Sequence, residues 1–132
     1  MTAERVTDDR DADDVLAVMR RYTDAVYTGA ADGLRACFHP DAVMSGLLGD
    51  QLLVGSPEPF FADIAGHPSM ESAGAPYEPT VVSVDVLGRV ASVRIDETGF
   101  FGAMSFANWF HLLKGDDGQW RIVSKAFMTR EA

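Results

Sequence analysis

The chain has 132 residues, 47% of them hydrophobic, with 11 basic against 20 acidic side chains and a net charge of −9. That length suits one domain with a single core, and the acidic balance argues against nucleic acid, which needs clustered Lys and Arg against its phosphates. No apolar run of about 18 residues is present to cross a membrane, and a lone cysteine, Cys37, rules out an internal disulfide and a multi-cysteine metal site.

The polar start, MTAERVTDDRDADD, lacks the basic segment and apolar block of a secretory leader. A cytoplasmic single domain over 1–132, with 1–7 as a flexible tail, is the expectation. A helix is predicted over 8–28, because Val15, Val18, Met19, Tyr22 and Val26 form one stripe at helical period. Thr7 or Asp8 suits its cap and Gly29 its stop. A short helix over 33–38 follows, capped by Asp32, with Leu34, Cys37 and Phe38 turned inward, and His39-Pro40-Asp41 breaks it. Cys37 in this apolar turn reads as a buried small hydrophobe, and His39 as a structural turn residue.

Residues 42–48 and 51–54 read as a hairpin turning at Gly49-Asp50. Ser56-Pro57 opens a third helix carrying Phe60, Phe61 and Ile64 and ending at Gly66. Residues 66–76 read as a loop. Strands are then predicted over 80–87, 90–98, 103–114 and 119–129, with turns at Gly88-Arg89, Gly99–Gly102 and Gly115–Gly118. In the first, Val82, Val84 and Val86 share one face by alternation, and Val81, Ser83 and Asp85 the other. The order implies an α+β domain: an antiparallel sheet of about six strands wrapped around three helices. Strands this long curl, and a curled sheet over helices leaves a conical pocket.

Three segments carry a resemblance: YTDAVYTGAADGLRACFHPDAVM, LLVGSPEPFFADI and FHLLKGDDGQWRIVSKAF. Over about 12–130 the chain resembles the nuclear-transport-factor-two-like superfamily, which includes ketosteroid isomerases and polyketide cyclases. Within it, the chain looks most like a bacterial group named "putative lumazine-binding". The resemblance implies a curved six-stranded sheet, three helices, a conical pocket and dimers formed through the outer sheet face. The isomerase-like members place an aspartate base on the first strand. Here that run is Ala42-Val43-Met44-Ser45, which offers no proton acceptor near neutral pH. A histidine–aspartate pair of the dehydratase-like kind finds no match.

Alternation puts Ala91, Val93, Ile95 and Glu97 on the core face of one strand and Phe106, Asn108, Phe110 and Leu112 on that of the next. Glu97 is therefore the candidate base, with Tyr22 as its catalytic partner and a hydroxyl donor. The expected ligand-binding set is Tyr22, Phe38, Met44, Phe60, Ile95, Glu97, Phe101, Phe106, Asn108 and Phe110: apolar, with a few polar groups to orient a ligand. Trp109 and His111 would face outward and bury in a homodimer. An extra residue near Gly99–Gly102 would reverse those faces. Lys125 is ambiguous, either a pocket cation or an edge residue reaching to solvent; the edge reading is preferred. Neither a cofactor nor a metal is called for. Three functions remain open: binding of a small apolar molecule, proton-transfer catalysis of isomerase, cyclase or dehydratase type, and a protein-interaction module.

Overall fold

A computed structural model describes residues 9–130. Four helices, α1 (Asp9–Thr28), α2 (Ala31–Ala36), α3 (Glu58–Gly66) and α4 (Met70–Ala73), accompany six strands: β1 (Phe38–Leu48), β2 (Gln51–Gly55), β3 (Glu78–Leu87), β4 (Val90–Phe100), β5 (Met104–Lys114) and β6 (Trp120–Arg130). The expected tail over 1–7 and the caps at Thr7 and Asp8 lie outside the described residues. Among those described, no helix is long and apolar enough to cross a membrane.

The strands form one open sheet in the order β2-β1-β6-β5-β4-β3. It is mixed rather than antiparallel, because β1 and β6 run parallel. The cause is topological. After β2, the chain passes through α3 and α4 to the far edge and meanders back from β3, so its fourth meander strand arrives beside β1 in the same direction.

The predicted stripe of α1 is the core: Val15, Val18, Met19, Tyr22 and Val26 are all buried against Val93, Ile95, Phe110, Leu112 and Ile122 of the sheet. Tyr22 meets Phe110 edge-on, with ring centroids 4.9 Å apart. Asp11 fastens the start of α1 to the sheet, accepting from Lys114 Nζ at 2.9 Å and from Trp120 Nε1 at 3.4 Å. Cys37 is buried as expected, and its thiol donates to the Gly33 carbonyl at 3.5 Å.

Several boundaries differ from the sequence reading. The second helix starts at Ala31 rather than Gly33, and Phe38 opens β1 instead of closing the helix. Proline at 40 does not end an element; it is absorbed in an irregular stretch, where Phe38 pairs with Ile122 but the next partner pair is Val43 with Ser124. His39 does take the structural role, its Nδ1 accepting from the Asp41 amide at 3.0 Å. The loop 66–76 contains α4, started by Ser69, whose Oγ accepts from the Ser72 amide at 3.0 Å. On β3 the strict alternation fails, because Val82 is an extra residue between Val81 and Ser83. Only Val86 of that edge strand is buried.

Candidate functional site

The concave face of the sheet and helix α3 enclose a cavity of about 440 Å³, open at one end. Its walls are apolar: Met44, Leu48, Leu53, Val54, Pro59, Phe60, Phe100, Met104, Phe106 and Phe127. Asp63 and Ser56 stand with these residues, while Glu97, Asn108 and Lys125 supply buried polar groups. Pockets of this kind bind drug-sized molecules, with apolar walls for affinity and a few polar groups for orientation.

Glu97 continues the inward stripe of β4, and Asn108 that of β5; they are 2% and 1% exposed. Asn108 Nδ2 donates to Glu97 Oε1 at 2.7 Å and to the Ile95 carbonyl at 3.1 Å. The hydroxyl of Tyr77 donates to the other Glu97 oxygen. Both carboxylate oxygens are thus held, and the Glu97 side chain is fixed in direction. Tyr77 leads into β3 and stacks on Tyr27 of α1, with centroids 6.1 Å apart. Burial, reinforced by the charge of Glu97, pushes the Tyr77 hydroxyl well up, so it stays protonated and donating.

Lys125 is 4% exposed, so the edge reading is corrected. The reason is a bulge in β6: Leu112 pairs with Ile122 and His111 with Ser124, which leaves Val123 unpaired. Ile122 and Lys125, three apart, therefore both point inward. Lys125 Nζ donates to the Tyr22 hydroxyl at 2.7 Å and lies 4.0 Å from the centre of the Phe60 ring. Burial lowers its pKa to about 8, against the opposing pull of the Glu97 charge. Burial also raises Tyr22 well above the ordinary tyrosine value.

Of the residues expected to line a pocket, Met44, Phe60, Glu97, Phe106 and Asn108 stand on its wall. Tyr22, Phe38, Ile95 and Phe110 lie behind it, in the core between α1 and the sheet. Phe101 turns away at a positive φ of 48° and meets His67 and Phe100; Phe100 is the member of that pair on the cavity wall. The irregularity expected near Gly99 exists, between Glu97 and Phe100, but it falls beyond the Ile95–Asn108 pair and leaves the facing of β5 unchanged. Trp109 is accordingly outside and 40% exposed, with Arg94 stacked over its indole at 5.2 Å.

Sequence reasoning missed Tyr77 and Phe127, left Phe100 out of the ligand-binding set and preferred the edge over the pocket for Lys125. A signal for Tyr77 existed. Counting back from the Gly88-Arg89 turn places residue 80 opposite Glu97, and the bulge at Val82 moves that position to Pro79, two residues from Tyr77. Gly99 makes the approach possible: at φ +67° a Cβ there would strike the Pro76 carbonyl. Gly99→Ala is therefore expected to cost about 2 kcal/mol or more, from left-handed strain plus the clash. Urea unfolding measures this, and a loss below about 0.5 kcal/mol, the scale of ordinary surface substitutions, would show that the Pro76–Tyr77 crossing is not constrained.

The chain matches the family described as "Putative lumazine-binding" over residues 10–128. Among curated proteins, none matches. Two solved structures of nuclear-transport-factor-two-like proteins of unknown function are each 25% identical to it. That from Shewanella baltica OS155 has a TM-score of 0.82, over 96% of this chain and 99% of its own. That from Methylobacillus flagellatus KT scores 0.84, over 97% and 98%. A ketosteroid isomerase-like protein from Erwinia carotovora atroseptica SCRI1043 shares the fold at 15% identity, with a TM-score of 0.68 over 95% of this chain and 100% of its own. A six-stranded sheet curled over helices and a family match spanning nearly all of the chain agree: the protein belongs to the "Putative lumazine-binding" family of the nuclear-transport-factor-two-like superfamily.

Proposed function

We propose that the protein binds one small, largely apolar molecule in the cone, with the polar end of that molecule between Glu97 and Lys125. The family and fold support a ligand-binding or isomerase-like protein in general terms. The observation that carries the finer reading is the placement of two buried ionisable groups, an acid and a base, in a cavity whose walls are mostly apolar. Buried charges without a direct ion pair are costly to a fold. They are useful where a ligand completes their hydrogen bonds. Titration with the neutral fluorophore phenylnaphthylamine tests this. Saturable one-to-one binding that is lost in the cavity-filling variant Met44→Trp is expected. Binding that Met44→Trp leaves unchanged places the probe elsewhere and sinks the reading.

Proton-transfer catalysis is the second reading, favoured by the way Tyr77 and Asn108 aim Glu97. The donor set differs from the sequence expectation. Asn108 is committed to Glu97 and to the Ile95 carbonyl, and Tyr22 lies behind the wall. Lys125 is then the group placed to stabilise an enolate-like oxygen. Exchange of the α-protons of an apolar ketone into deuterated water, dependent on Glu97, is the expected sign; exchange unchanged in Glu97→Gln rules out that base.

We also propose a cytoplasmic homodimer joined through the outer sheet face. The face presents Trp109, Leu113 and Met128 exposed, a composition that suits an interface core. Trp109→Glu is expected to raise the dimer dissociation constant about 30-fold or more, as for a central aromatic anchor. Sedimentation velocity reads it, and a wild-type protein that stays monomeric at high concentration removes the dimer.

A further inference from the structure

The chain contains only two lysines, and they are placed very differently. Lys114 is committed to an ion pair with Asp11 at 2.9 Å. Lys125 is buried in the cone, and among the described residues no carboxylate reaches its amine. Its contacts are the Tyr22 hydroxyl and the faces of Phe60, Tyr22 and Phe127. Glu97 influences it through space only, since both Glu97 oxygens are held by Tyr77 and Asn108. A core that needed only volume here would be served by methionine or leucine, without the cost of desolvating an amine.

We propose that Lys125 is a carbonyl-reactive amine that condenses with an apolar aldehyde or ketone seated in the cone, forming an imine. The proposal rests on the pocket reading above and names the chemical class of its ligand. The geometry supplies the parts. The amine projects from β6 at the cavity wall, beside the rings of Phe60 and Phe127. Its nitrogen lone pair attacks the carbonyl carbon, and the carbonyl electron pair moves to oxygen. That oxygen takes a proton given up by the nitrogen, while the Tyr22 hydroxyl, 2.7 Å from Nζ, holds the amine in place from behind the wall. The nitrogen lone pair then expels the resulting hydroxyl, which leaves as water with the nitrogen's second proton, and a carbon–nitrogen double bond remains. No oxidant, reductant or second substrate is required. Glu97 favours the protonated imine by its charge. Desolvation acts in the opposite sense on the free amine: it lowers the pKa to about 8, so that a fraction is unprotonated and nucleophilic at neutral pH.

Reductive trapping tests the inference on the full chain. The protein is incubated with naphthaldehyde and cyanoborohydride, and adducts are located by peptide mass mapping. A stable adduct carries the mass of the aldehyde less one oxygen. Lys125 is expected to label at least ten times faster than the more exposed Lys114, to saturate with aldehyde concentration and to be protected by phenylnaphthylamine. Lys114→Arg should leave this labelling unchanged, and Lys125→Met should abolish the fast phase. Labelling of Lys125 no faster than Lys114, in protein that still binds phenylnaphthylamine, overturns the imine and leaves the pocket intact. Loss of phenylnaphthylamine binding in the wild type overturns the pocket reading itself.

Discussion

Lysine-selective carbon NMR is expected to show one side chain, Lys125, titrating near pH 8, well below the ordinary lysine value. With two lysines in the chain, the spectrum assigns itself through Lys125→Met. The cause is burial: the ammonium has exchanged water for one hydroxyl and the face of Phe60. Glu97 acts in the opposite direction, its charge holding the Lys125 pKa up. In Glu97→Gln that support is gone, so the titration of Lys125 should fall further. A midpoint that stays put in Glu97→Gln would separate the two groups electrically. A wild-type midpoint near that of free lysine would mean that water reaches the amine.

The same buried amine dictates a stability effect with a definite sign. Between about pH 8 and the unfolded lysine value of 10.5, the unfolded chain binds more protons at Lys125 than the folded chain does. Stability therefore rises with pH in that window, and the cost of the buried charge is fully present below it. From the size of the shift, that cost is about 3 kcal/mol. The raised hydroxyls of Tyr22 and Tyr77 work the other way above about pH 10, where the unfolded tyrosines lose protons first. Lys125→Met alone would strip the Tyr22 hydroxyl of its partner, so the informative variant removes both ends. Tyr22→Phe with Lys125→Met is expected to be more stable than wild type at pH 7 by about 1–3 kcal/mol, with a melting temperature several degrees higher. Its stability should also lose the rise between pH 8 and 10. Denaturant unfolding across that range decides it; a double variant less stable than wild type at pH 7 would show that the amine is a net stabiliser of the fold.

Much of this architecture was legible in the residues. The α1 stripe and the inward faces of β4 and β5 follow from simple periodicity, and the structure buries the residues that the periodicity selects. Glu97 and Asn108 were recognisable for the same reason: each is a polar residue continuing an apolar series. What escaped detection lies where the period breaks. The unpaired Val123 brings Ile122 and Lys125 to one face, which strict alternation assigns to opposite faces. The extra Val82 displaces the β3 register just where it approaches Glu97 and Tyr77. The parallel pairing of β1 with β6 is a property of chain routing that no local pattern carries. Tyr22 illustrates a different limit: its place on the α1 stripe was correct, yet its hydroxyl lies behind the cavity wall and meets Lys125 rather than the cavity itself.

The central claim is that a ligand enters the cone and meets a polar pair inside it. The most direct measurement is the amide and methyl NMR map of the protein as phenylnaphthylamine is added. The account predicts saturable shifts at Met44, Leu53, Asn108, Phe106 and Lys125, on the cavity wall, with Trp109 and Met128 on the outer face unmoved. Shifts confined to Trp109, Leu113 and Met128, with the cavity residues silent, would contradict it and make the sheet's outer face the binding surface.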